Sequence, residues 1–115
     1  MSSTDRSVGN TIISQLGGNG FLHVTGAQVV YFDDGVSFLF PMVARGRWNH
    51  IHIKLGADDL YHCTLRRFTR NHALKREEEV PYGIYCEDLR KRVEEWTGLA
   101  TTMTRFVGIN IGSAI

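Results

Sequence analysis

Two cysteines and two prolines among 115 residues are few, and no apolar stretch is long. Cys63 and Cys86 cannot build a disulfide framework and lie too far apart for a CxxC motif, so structural zinc is not expected. Both read as small buried hydrophobes suited to a reducing compartment. No run approaches the roughly 20 apolar residues that cross a bilayer, and "MSSTDRSVGN" lacks the basic-then-apolar order of a signal peptide. These absences lead to the expectation of a cytoplasmic chain with no membrane partner. Large net charge is absent too, at +1, while 43% hydrophobic residues suffice for one domain with a core.

That small net charge conceals a segregation. Between Pro41 and Arg76 stand Arg45, Arg47, Lys54, Arg66, Arg67, Arg70, Lys75 and Arg76, opposed only by Asp58 and Asp59. The rest of the chain is correspondingly acidic, and such separation creates a local potential invisible in the sum.

Val8, Ile12, Ile13 and Leu16 recur at helical spacing, which predicts a helix over 5–16 with Ser7 or Thr4 as cap and Gly17-Gly18 as stop. "GGNG" follows that helix and reads as a turn rather than as a phosphate loop opening another. "FLHVTG", "AQVVYF" and "VSFLF" are β-branched and aromatic, and read as strands. Asp33–Gly35 joins the last two as a hairpin turn with the glycine at positive φ.

The strongest pattern is "WNHIHIKL", Trp48–Leu55. With "GADDL" as a loop, Leu55 faces Tyr61, Ile53 faces Cys63 and Ile51 faces Leu65 on one side. On the other, Lys54 meets His62, His52 meets Thr64 and His50 meets Arg66. A slip of one residue would mix these faces. "NHALKREEEVP" reads as a charged loop. A second helix is expected over 85–97, with Tyr85, Leu89, Val93 and Trp96 as its apolar stripe and Glu87–Lys91 and Asp88–Arg92 as pairs on its wet side.

The sum is an α+β domain, with a four- or five-stranded antiparallel sheet and two helices packed on one face. Residues 1–103 form that single domain. Residues 104–115, with "FVGINI", read as an edge strand or an oligomerisation arm, hence a homo-oligomer.

"TIISQLGGNGFLHVTGA" (Thr11–Ala27) and "GIYCEDLRKRVEEWTGL" (Gly83–Leu99) resemble a family of small uncharacterised bacteriophage and prophage proteins. Its members open with TI-x-x-QLGG and a short strand ending in TGA, and close with G-x-Y-x-x-x-LR, an acidic residue and TGL. The resemblance implies a host-cell cytoplasmic setting and carries no catalytic residue. The chain departs from the family at Val24, where methionine is common, and continues sixteen residues past Leu99.

No catalytic constellation assembles. Cys63 falls on the face opposite the histidines, and no serine occupies a nucleophile elbow. Asp33-Asp34 and Asp58-Asp59 sit in turns, where backbone hydrogen bonding already accounts for aspartate. His50 and His52 stand about 6.6–7 Å apart with cations around them, a poor metal site. The chain is therefore expected to be non-enzymatic, without metal or cofactor. Its polar sheet face, His50, His52, Lys54, His62 and Arg66, with Arg45, Arg47 and Trp48 at the approach and Arg70 at the far end, suits nucleic acid. Single strands are favoured, since cations take phosphates and an indole stacks on a base. Histidine protonation would then strengthen binding between about pH 8 and pH 6. The competing expectation is a protein-interaction module that inhibits or modulates a host defence or replication factor.

Overall fold

The helical spacing at the start of the chain forms α1 (Ser7–Leu16), which buries Ile12, Ile13 and Leu16. The structure is a computed structural model that describes residues 4–99. Neither expected cap is used. The residue before the helix is Arg6, and Asp5 reaches forward so that its carboxylate accepts the Ser7 N–H at 2.9 Å.

The next segment corrects the expectation of a strand. Asn19–Thr25 is a second helix, α2, so Gly17 and Gly18 stand between two helices rather than only after one. Burial overrides local preference here. The helix places Phe21 and Thr25 one turn apart and fully inside. Phe21 meets Phe38 edge-on at 5.2 Å and Phe40 at 6.2 Å, and the Thr25 hydroxyl donates to the Phe21 carbonyl at 2.8 Å.

Five strands follow: β1 (Gln28–Phe32), β2 (Gly35–Leu39), β3 (His50–Leu55), β4 (Tyr61–Phe68) and β5 (Leu74–Glu79). They form one antiparallel sheet in chain order. Gly35 opens β2 without positive φ, contrary to expectation. A Cβ there would lie 2.0 Å from the Ile53 carbonyl oxygen, so close approach of β3 is what demands glycine. The β3–β4 register is the one derived from sequence, from Leu55 opposite Tyr61 to His50 opposite Arg66. Ile51, Ile53, Cys63 and Leu65 are buried.

β5 occupies the segment expected to be a loop. All six of its side chains are exposed, so no apolar period marks it; the ladder to β4 makes it a strand, with a shift at Arg67/Phe68. Asn49 extends the β3–β4 ladder as a side chain, its amide donating to the Phe68 carbonyl at 3.0 Å and accepting the Phe68 N–H at 2.9 Å.

The last helix, α3 (Cys86–Thr97), buries Leu89 and Val93 and half-buries Trp96, but Tyr85 precedes it and is 60% exposed. Arg92 pairs with Glu95 at 3.3 Å rather than with Asp88. Among the described residues the fold is thus α+β with three helices rather than two. The Tyr61 hydroxyl ties the sheet to α1 by donating to Gln15 at 2.6 Å. The expected arm, residues 104–115, lies outside the described residues. Among the described residues no helix is long and apolar enough to cross a membrane.

Candidate nucleic-acid interface

Strand alternation sends the core side chains toward the helices and leaves the opposite face open. Cross-strand rows on that face run Leu39–His50–Arg66–Glu77, Ser37–His52–Thr64–Glu79 and Gly35–Lys54–His62. The sequence pattern therefore does bring His50, His52, Lys54, His62 and Arg66 onto one surface. It does not leave them a basic surface. Arg66 Nε lies 2.6 Å from Glu77, His62 Nε2 lies 3.0 Å from Asp58, and Lys54 Nζ lies 3.9 Å from Asp34. Two carboxylates on this face, Glu77 and Glu79, come from β5, the segment whose sequence reads as a charged loop.

The two central histidines are half-buried and neutral in character. Burial, with Arg66 and His52 nearby, lowers His50 from 6.5 to about 4. Burial, again with Arg66 beside it, also lowers His52, whose Nδ1 is 2.8 Å from the Ser37 hydroxyl oxygen. Each ring packs roughly perpendicular to a phenylalanine, His50 against Phe68 at 5.1 Å and His52 against Phe32 at 4.9 Å. His50 consequently adds no positive charge between about pH 8 and pH 6, which removes a contributor to the expected pH response.

Arg45, Arg47 and Trp48 belong elsewhere. They lie in the connection from β2 to β3, at the helix-side end of the sheet, and meet residues of β4 and β5. Arg67 and Arg76 stand directly opposite one another across the β4–β5 ladder. Arg67 donates to the Arg47 carbonyl at 3.0 Å, and Arg76 to the Gly46 carbonyl at 3.1 Å. Arg45, Gly46, Arg67, Lys75 and Arg76 enclose a niche of about 220 Å³. Among the described residues, Arg45, Arg67, Lys75 and Arg76 have no carboxylate within ion-pair distance. Like charges facing across a ladder are destabilising, and hydrogen bonds to carbonyls orient these cations without neutralising them.

Trp48 is half-buried against the core and carries the Arg76 guanidinium 4.1 Å over its ring. One face of the indole is thereby occupied, and it is not the open platform expected. An aromatic position exists next door instead. A groove of about 350 Å³ runs beside the niche, lined by Phe68, Val43, Asn49, Arg70 and His72, with Arg67 bordering both spaces. Arg70 is exposed at the turn between β4 and β5. Sequence reasoning counted Arg67, Lys75 and Arg76 as basic but did not place them. Recognising 69–73 as a tight turn would have paired Arg67 with Arg76.

Burial raises the Cys63 thiol to about 12, and it lies on the core side, away from the histidines. The two acidic turns reach the same end of the sheet, where the Leu55 N–H donates to the Asp34 carbonyl at 2.8 Å. Among the described residues, no three histidine, cysteine or acidic side chains are grouped to hold a metal ion. No family model, curated protein or solved structure matches the chain.

Proposed function

We propose that the protein binds nucleic acid without catalysing a reaction, and that the basic niche and its adjoining groove, rather than the flat sheet face, receive a single strand. One observation carries the reading: Arg67 and Arg76 face each other across the ladder, Arg45 and Lys75 line the same niche, and among the described residues no carboxylate lies within ion-pair distance of the four. A solvated surface has no need of that repulsion, whereas phosphates relieve it. The groove supplies what a duplex would not use, an aromatic side chain, Phe68, flanked by Arg67, Arg70 and His72, on which an unpaired base stacks while the cations hold its backbone. A phage or prophage origin in a host cytoplasm fits this role.

The test is fluorescence anisotropy with single-stranded oligonucleotides of mixed sequence over a salt series. Binding should weaken linearly on a log–log plot, each neutralised phosphate adding about −0.7 to the slope. No binding at low salt would end the reading and leave regulation of a host protein as the surviving alternative.

A further inference from the structure

The sheet has two outer edges, and they differ in kind. β5 carries Lys75, Arg76 and three glutamates and is shifted at Arg67/Phe68, and both charge and irregularity keep an edge from pairing. β1, "QVVYF", has no charge, no proline and no bulge. Its Val30 is 56% exposed and Phe32 39%.

The backbone of β1 is equally open. Phe32 and Gly35 flank a two-residue turn, so they exchange both of their ladder hydrogen bonds. Alternation then points the N–H and C=O groups of Phe32, Val30 and Gln28 at β2, and those of Val29 and Tyr31 away from the sheet. Among the described residues, nothing bonds to the Val29 or Tyr31 backbone from outside. Unpaired groups of this kind are a template for another strand.

We propose that β1 pairs antiparallel with β1 of a second copy of this chain, with Val30 opposite its own counterpart across a two-fold axis. In that register Val29 faces Tyr31 of the other copy twice over, and those are the residues whose backbone groups point outward. Gln28 faces Phe32 on the open side of the joined sheet. The strand brings no like charges together, and the acidic turn Asp33–Asp34 falls opposite Gly26 and Ala27 rather than opposite its own copy. The axis lies at the edge farthest from β5, so both basic niches stay uncovered at the outer ends of a ten-stranded sheet.

The experiment joins sedimentation equilibrium with amide hydrogen exchange on the full chain. A mass of twice 13.0 kDa is expected, with slow exchange at Val29 and Tyr31 that quickens on dilution. Val30→Lys should give a monomer with an unchanged circular dichroism spectrum, because the side chain is exposed and two lysines would meet across the axis. A monomer at every concentration, or a dimer whose Val29 and Tyr31 amides exchange freely, would overturn the proposal. So would protection of those amides in a monomer, which would assign the edge to residues of the same chain. The exchange measurement needs no variant and stands even if Val30→Lys fails to fold.

Discussion

The open sheet face and the niche around Gly46 are built from the same kinds of side chain, and they treat positive charge in opposite ways. On the open face Arg66 meets Glu77 and Lys54 meets Asp34, each cation beside a carboxylate. In the niche Arg67 and Arg76 are held by the carbonyls of Arg47 and Gly46. Arg66 and Arg67 are neighbours in sequence, and alternation along β4 alone sends one to each environment. A carboxylate cancels the charge of its partner, whereas a carbonyl fixes the position of the guanidinium and leaves its charge in place. The number of cations on a surface therefore says less about anion binding than the identity of their acceptors.

The most damaging change to this contrast is removal of the alternation that creates it. Ile53→Asp places an unpaired charge between the sheet and the helices, at a site with no exposure. It should cost several kcal/mol and unfold the domain, seen as disappearance of the cooperative thermal transition. Less drastic is emptying the niche. Arg67→Gln with Arg76→Gln should leave the fold intact or slightly firmer, because facing like charges are removed. The salt slope of oligonucleotide binding should meanwhile become shallower by about 0.7 for each phosphate that the niche no longer neutralises. An unchanged slope would erase the distinction between niche and face.

Acid sharpens the comparison from the other side. His50 is lowered to about 4 from 6.5, so between those values the unfolded chain takes up a proton that the folded chain refuses. Stability is therefore held above about pH 6.5 and lost as the pH falls toward 4. Discounted for the partial exposure of the ring, the loss is about 1–2 kcal/mol. Thermal melts at pH 7 and pH 5 should show it, and His50→Gln should reduce the difference, His52 supplying a remainder of the same sign. The smallest effect belongs to Arg66→Gln. An ion pair with side chains 29% and 46% exposed contributes about 0.2–1 kcal/mol, and oligonucleotide affinity should scarcely move.

What could be read from the sequence follows from which elements bury one face. β3 and β4 do, and their register emerged residue by residue, together with the surface that carries His52 and Lys54. β5 buries no side chain, so its sequence held no period to find. With it went the carboxylates that neutralise the open face and the arginine that completes the niche. α2 escaped for the opposite reason. Its residues prefer strands, and only the pocket between Phe38 and Phe40 makes a helix the better way to bury Phe21. Gly35 was recognised as necessary but for its torsion, when the reason is a neighbouring strand that no local pattern reveals.

The two cysteines, so few that they first served to exclude disulfide and zinc architectures, have a practical use that follows from their placement. Cys86, against the expectation that both are buried, is exposed at the start of α3, while Cys63 is 3% exposed inside the sheet with its thiol pushed up to about 12. A maleimide dye should therefore attach at one position in the native chain and at two only after the core opens. The wild-type sequence thus carries its own attachment point for a spectroscopic label and, in the slow second alkylation, a clock for global opening.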